Sequence, residues 1–549
     1  MSAISPLEEL LASLPPIHIG PTWKKTDAGK WMLPKHTLGW QIVGWCSEYL
    51  LNDEGQPWRF TAEQLRFILW WYAVDERGRF VYRKGVLQRM KGWGKDPLLA
   101  AICLVELVGP SRVGWWDKDG NPVGVPHPRA WVQVTAVSQT QTVNTMDAIL
   151  AMMSDKLIAA YGIKPGAELI KANRGKCRLV AVTSSYRALE GGRTTFTVLN
   201  ETHHWIAGNG GIKMYETIDG NTTKSNGGTA RYLAITNAYL PGEDSVAEKM
   251  RDAWQKIEDG KAVGVGFLYD SLEAHAKTPL DPAILVHILP LIRGDSVWLD
   301  IESIIPSILD TSIPASRSRR MWLNQIVAEE DALYGPSEWE DVADDDAVLA
   351  PGDEIVMGFD GGKSDDATAL VALRVSDATA FPLLIEEKPD GPLGDGWTVD
   401  REKVDSAVHE AFRLYDVKGF YADVALWESY IDDWAEAYRE HLIVKATGQH
   451  SIAWDMRTSL QKSTLAHERL MRAIFDVKLR IQRDPDMKRH MLNARRRENN
   501  YGVSFGKESR ESPRKVDAYA ALLLAYEALH DLRTKAPVKK KHSTQGWFL

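Results

Sequence analysis

Three aspartates end strand patterns or open a helical one, positions from which carboxylates could hold paired metal ions. Asp360 closes the apolar run in Gly358-Phe359-Asp360-Gly361-Gly362, Asp423 closes Tyr421-Ala422-Asp423, and Asp517 opens a helical pattern in Arg514-Lys515-Val516-Asp517-Ala518-Tyr519-Ala520. Cutting a phosphodiester with two Mg2+ or Mn2+ ions roughly 3.5–4 Å apart takes several carboxylates, since both the attacking and the leaving oxygen must be stabilised. Hard oxygen ligands suit those ions, and the lack of a His/Cys cluster around them disfavours zinc. Each aspartate alone is a common strand end or helix cap, and only the ordered trio points to metal chemistry. Asp366, in Asp365-Asp366-Ala367-Thr368, is a fourth candidate ligand, with a turn or supporting role as its alternative.

A second constellation lies upstream. Arg89-Met90-Lys91-Gly92-Trp93-Gly94-Lys95-Asp96 falls between a β-rich run and a helical one, the context of a phosphate-binding loop. Gly92 and Gly94 supply the turn, and Lys95 would neutralise phosphate oxygens. The match is imperfect: Arg89 replaces the first glycine and Asp96 the Ser or Thr that would hold Mg2+. An ordinary Gly-rich turn is the competing reading. Thr194 to Asn200 followed by Glu201 reads as a Walker B strand, with Glu201 to orient water and Asn200 in place of the magnesium-binding Asp. A buried strand with a polar cap is its alternative. The carboxylate missing at Asn200 and the one gained at Asp96 suggest an exchange of charge around Mg2+.

These residues need elements to hold them. Strand and helix patterns alternate from about residue 80 to 270: β-rich runs at Phe80–Gln88, Trp131–Val137, Arg178–Thr183, Thr194–Asn200 and Tyr232–Thr236, with a helix over Pro97–Val108. That alternation predicts a mostly parallel, doubly wound sheet. Eight acids and no Lys or Arg from Glu338 to Glu354 predict a solvated linker. Beyond it come strands at Ile355–Asp360, Thr368–Val375 and Gly419–Asp423, helices near Arg401–Tyr415 and from Trp427, and a final helix over Arg514–Leu529. The sequence thus divides into an N-terminal segment (1–59), an α/β domain (60–334), the acidic linker (335–353), a second domain (354–532) and a basic tail (533–549), read as disordered or as a docking segment.

Between the second and third aspartates, residues 478–515 hold twelve Lys or Arg against five acids. Lys488, Arg489, Arg495, Arg496, Arg497, Lys507 and Lys515 are the candidates for phosphate contacts with a DNA backbone, a solvated helix face being the alternative. Gly502 to Lys507 reads as part of a hairpin beside the cleft.

Taken in order, these motifs resemble the terminase large subunits of tailed phages and herpesviruses, from about residue 55 to 530. The resemblance is carried by the Arg at the start of the deviant loop, the Phe60-Thr61-Ala62-Glu63-Gln64 block, Ala136-Val137-Ser138-Gln139-Thr140, Ala234-Ile235-Thr236-Asn237-Ala238 and the aspartate trio. It implies an α/β protein with an N-terminal P-loop (ASCE-type) ATPase domain and a C-terminal ribonuclease H-like nuclease domain. It also implies Gln64 at the adenine, Arg89, Gly92, Gly94, Lys95, Asp96, Asn200, Gln139 and Thr236 around ATP and Mg2+, Glu201 as catalytic glutamate, and Arg187 or Arg193 as arginine finger. Two Mg2+ or Mn2+ would sit on Asp360, Asp423 and Asp517. Implied partners are double-stranded DNA, a portal protein on a procapsid, a small terminase subunit and further copies in a ring, all in the cytoplasm of an infected bacterium.

Composition is compatible with this and narrows the field. At 549 residues, 44% apolar and 26% charged, the chain exceeds a single core. A net charge of −8 excludes a uniformly basic DNA binder but not a local basic surface. Cys46, Cys103 and Cys177 offer neither zinc spacing nor a disulfide framework. The N-terminus lacks a signal-peptide pattern, and no run reaches the roughly 18 apolar residues of a membrane span. Two other readings share the motifs: a helicase- or repair-type ATPase–nuclease, which would bring a second helicase core that the sequence lacks, and a DNA-binding scaffold whose ATPase has degenerated.

Overall fold

The computed structural model describes residues 6–183, 189, 191–225, 229–264, 266–363, 366–389, 394, 396–457, 460–507 and 514–535. It divides into two compact units, Met1–Glu330 and Asp331–Leu549.

The first unit holds β1 (Ile17–Ile19), β2 (Lys84–Gln88), β3 (Arg112–Trp116), β4 (Pro122–Val125), β5 (Trp131–Ala136), β6 (Leu169–Ala172), β7 (Cys177–Thr183), β8 (Phe196–Asn200), β9 (Arg231–Thr236) and β10 (Phe267–Glu273). Eight of these form one sheet in the order β1-β10-β2-β9-β8-β5-β7-β6, while β3 and β4 form a separate ribbon. The strands from β10 to β7 run parallel, with antiparallel β1 and β6 at the edges. Parallel strands are buried on both faces: on β2, Val86 joins one core cluster and Leu87 the other. One strand, β9, separates β2 from β8, which is the ASCE arrangement of a P-loop sheet. The predicted strands are all present, but Phe80–Arg83 lies outside β2. The N-terminal segment is built in: β1 extends the sheet, and Ile42, Trp45 and Cys46 of the helix Gly39–Tyr49 enter the core.

The second unit holds β11 (Ala343–Asp344), β12 (Glu354–Gly361), β13 (Thr368–Arg374), β14 (Thr379–Glu386), β15 (Asp416–Asp423), β16 (Ala453–Trp454), β17 (Arg480–Gln482), and a hairpin of β18 (Arg495–Asn499) and β19 (Gly502–Gly506). The sheet order is β11-β17-β14-β13-β12-β15-β16; β14, β13 and β12 are antiparallel in turn, then β12, β15 and β16 run parallel. This is the ribonuclease H-like arrangement. Alternation along β12 sends Ile355, Met357 and Phe359 into one core layer and Val356 into the other. The terminal helix Asp517–Lys535 packs on the Val356 face, and Gly358 makes this possible. A Cβ there would overlap the Ala521 carbonyl oxygen and the Ala525 amide nitrogen, so helix backbone lies directly on the strand.

The acidic segment 335–353 is not the solvated linker its composition predicts. Pro336–Val342 is a helix whose Trp339 and Val342 are fully buried in the second unit's core, and Ala343–Asp344 pairs with β17. Two apolar side chains suffice to dock it while the carboxylates face outward. One of them, Glu340, takes Arg483 as partner. Residues 533–535 continue the terminal helix, and the rest of the predicted tail, 536–549, lies outside the described residues. Among the described residues no helix is long and apolar enough to cross a membrane.

Candidate active sites

In the first unit the predicted nucleotide residues gather where β2, β9 and β8 end. Gly92 (φ 78°) and Gly94 (φ 96°) adopt left-handed conformations, which turn successive backbone N–H groups toward one side. Gly94 caps the helix Lys95–Val108 without any side-chain cap, leaving its first-turn N–H groups for a ligand. The loop's outer side is clamped: the indole Nε1 of Trp298 donates to the Gly92 carbonyl (2.9 Å), and the Ser296 hydroxyl to that of Trp93 (2.8 Å). Lys95 is 5% exposed, and its ammonium donates to the Arg89 and Met90 carbonyls and to Asn237 Oδ1. Burial lowers its pKa, against the attraction of Glu201 and Asp96. Asp96, in the helix's first turn, is exposed and near enough to Glu201 to raise that group's pKa.

Arg89 is a correction. Its guanidinium is fully buried, ion-paired with Asp270 of β10 and bonded to the Gln88 carbonyl, with Trp23 and Trp93 against it. In this arrangement it braces the loop against β10. Gln64 is buried beside Gly94, but its amide oxygen accepts from the Thr61 backbone N–H in a capping box that opens the helix Ala62–Trp71. The Thr-x-x-Gln spacing announces that box in sequence. Gln139 is exposed at the start of the helix Gln139–Ala151, which leaves the sheet after β5. Arg193 is exposed, and Arg187 lies outside the described residues.

Asn200 ends β8 with its amide nitrogen on Thr145 Oγ1 (2.9 Å) and the Gln141 carbonyl, while its Oδ1 is buried without a partner. An orphaned acceptor oxygen at this strand end fits a cation or its water. Glu201 follows at φ 56°, a strained conformation for a non-glycine residue. Burial raises its carboxyl pKa, opposed by Lys95. Thr236, fully buried at the end of β9, accepts from the His203 backbone N–H (3.2 Å) and is hydrogen-bonded to its ring Nδ1 (3.1 Å). Sequence alone gives no role to His203, two residues past the Thr194–Glu201 motif, or to Asn237, inside the Ala234–Ala238 motif.

In the second unit the carboxylates converge. Phe359 pairs with Ala422 across parallel strands, so the next residues, Asp360 and Asp423, lie side by side. Asp360 shares a strand face with Gly358, under the helix. Since Ala521 sits on Gly358, Asp517 one turn earlier comes to Asp360. Burial raises Asp360 well above the usual carboxylate range, with Asp517, Asp423 and Asp366 adding repulsion. Asp423 and Asp517 are raised as well, chiefly by burial. Like charges this close are unfavourable until cations join them, and four hard oxygen donors suit Mg2+ or Mn2+.

Two predicted basic residues stand at this site: Lys507 and Lys515 both pair with Asp366. The others divide. Arg496 and Arg497 lie on the hairpin, with side chains 51% and 41% exposed, and Lys488 is half-buried. Arg489 bridges Glu387 and Asp486. Arg495 is a correction: its guanidinium is buried against Asp331 and the Leu492 carbonyl, out of reach of any backbone phosphate. A supporting pair, His490 and Glu387, stands behind the centre. His490 is fully buried, accepts at Nδ1 from the Ala518 N–H (2.8 Å) and holds Glu387 at Nε2, thereby fixing the helix end that carries Asp517.

Fold and sites together define a two-domain α/β protein that joins a P-loop unit to a ribonuclease H-like unit with a four-carboxylate centre. The chain belongs to the family of the Gene 13 proteins of Mycobacterium phages L5 and D29. It is 42% identical to the L5 protein over 575 aligned residues, covering 95% of this chain and 96% of that one. To the D29 protein it is 41% identical over 577, with the same coverage. Among solved structures it is similar to the HK97 bacteriophage large terminase, with TM-score 0.47 and 18% identity over 90% of this chain and 100% of that one. No family model matches the chain.

Proposed function

We propose that the chain is a terminase large subunit, which drives double-stranded viral DNA into a procapsid with ATP and cuts concatemers with a metal-dependent endonuclease. The observation that carries this is the union, in one chain, of a P-loop sheet edge bearing Lys95, Asn200, Glu201 and Thr236 with a ribonuclease H-like edge bearing Asp360, Asp423, Asp517 and Asp366. In the first unit, Gly92, Gly94 and Lys95 would hold the ATP phosphates, Asn200 and Asp96 would serve Mg2+, and Glu201 would orient the attacking water. In the second, Asp360, Asp423 and Asp517 would hold two Mg2+ or Mn2+, which supply charge stabilisation to the attacking and leaving oxygens. Lys507, Lys515, Arg496 and Arg497 would meet the DNA backbone around that centre. A procapsid portal, a small terminase subunit, a ring of further copies and the cytoplasm of an infected bacterium complete the setting.

The test is cleavage of supercoiled plasmid by the full chain with Mn2+ or Mg2+, beside Asp423→Asn, together with ATP hydrolysis beside Lys95→Ala. Metal-dependent cutting and hydrolysis, each abolished by its own substitution, support the proposal. No cutting with either metal removes the nuclease half, and hydrolysis that survives Lys95→Ala removes the motor half.

A further inference from the structure

Beside Glu201 two histidine rings crowd one carboxylate. The Thr236 hydroxyl lies within hydrogen-bond reach of the Asn237 carbonyl (2.8 Å) and accepts from the His203 backbone N–H (3.2 Å). It also holds ring Nδ1 of His203 at 3.1 Å. That contact fixes the ring with Nε2 turned to Glu201 Oε2 across 3.3 Å. A proton or a metal ion can bridge the pair.

A third ligand favours the metal. His204 adjoins His203, with ring centroids 4.0 Å apart. One ligand atom each from Glu201, His203 and His204 falls within 4.8 Å of the others. Two atoms bound about 2.0–2.1 Å from a tetrahedral zinc ion lie about 3.3 Å apart, the spacing seen between His203 and Glu201. The hydrogen bond between Nδ1 and Thr236 is the kind of outer contact that orients a metal-binding histidine. Asn237, next in chain, takes the Lys95 ammonium. We infer that Glu201, His203 and His204 form a binding site for a zinc-class divalent ion, with one coordination position left open. Hard ions such as Mg2+ avoid this donor set, so the site differs in chemistry from both magnesium sites proposed above. An ion held there occupies the carboxylate that would orient water, so it switches hydrolysis off; this consequence, unlike the binding, rests on the ATPase reading.

The full chain is titrated with Co2+ in the absence of nucleotide, and Zn2+ is then added. Expected is the intense visible absorption of tetrahedral Co2+ at one equivalent, displaced by Zn2+. It should be lost in His204→Ala and Glu201→Gln and retained in Asp423→Asn, whose substitution lies in the other unit. His204 is exposed, so His204→Ala should melt with the parent protein. Absorption that is absent, or unchanged in His204→Ala, overturns the site and leaves a shared proton between His203 and Glu201. Zn2+ should also lower ATP turnover at least tenfold in parallel with displacement. A Co2+ spectrum lost in His204→Ala, in a protein that never hydrolyses ATP, upholds the site and overturns the ATPase reading alone.

Discussion

The ammonium of Lys95 donates to Oδ1 of Asn237 across 2.5 Å, tying the phosphate-binding loop to the end of β9. With its other two protons on the Arg89 and Met90 carbonyls, Lys95 must release one of three acceptors to reach a nucleotide. Lys95→Ala is therefore expected to weaken ATP binding at least tenfold. Asn237→Ala removes a competitor for the ammonium and should tighten it tenfold or more, on the scale of roughly 1.5–3 kcal/mol for a hydrogen bond to a charged group. Titration with a fluorescent ATP analogue checks both. Weaker binding in Asn237→Ala would mean that Asn237 contacts the nucleotide itself.

Asp96 and Asn200 are proposed to have exchanged the carboxylate that serves Mg2+. Asp96→Ser should then slow ATP hydrolysis more than the double substitution with Asn200→Asp. Both substitutions touch positions near one ion, so their effects should not add. Equal damage in a steady-state assay would falsify the exchange.

Gly358→Ala places a methyl group inside the backbone of the terminal helix. It should cost the second unit about 1–3 kcal/mol or more, lower its melting temperature, and abolish cutting through displacement of Asp517. Gly220, within the helix Gly211–Lys224, has open space at its Cβ position. There Gly220→Ala should stabilise the first unit by about 0.5–1 kcal/mol. Calorimetry distinguishes the two, and equal effects would sink the packing argument.

The metal-free carboxylate centre should destabilise the fold as pH rises. Asp360 titrates well above its usual 3.8, so between those values the folded form holds more protons than the unfolded form, and stability falls as pH rises through the window. In chelator at neutral pH, Asp360→Asn should raise the second unit's stability by about 1 kcal/mol or more while abolishing cutting; the gain should fade toward pH 4. Glu387 has the opposite sign. Against burial, His490 and Arg489 hold it down to about 2, so its contribution is present above its ordinary 4.5 and lost as pH falls toward 2. Glu387→Gln should thus destabilise at neutral pH and become harmless in acid. Thermal melts across pH, with and without Mn2+, read both signs.

What the sequence determined by itself was local. Apolar runs of strand length ending in Asp360, Asp423 and Asn200-Glu201, the Gly92/Gly94 turn before a helical pattern, and the order of these segments were legible because period, turn chemistry and terminal charge are properties of neighbouring residues. So was the two-unit division, although the acidic stretch misled: Trp339 and Val342 dock it, and no charge count reveals which face of a short helix finds a core. Only tertiary structure decided the rest, since it pairs residues far apart in the chain. Arg89 meets Asp270, Arg495 meets Asp331, and Lys507 reaches Asp366 across 141 residues. Each turns on burial and partnership, which a guanidinium or ammonium does not disclose in sequence. The same holds for His203, whose ring is set by Thr236, 33 residues away. Spacing names the groups able to do chemistry; the packing of strands and helices sets which of them face one another, and hence which are braces and which are ligands.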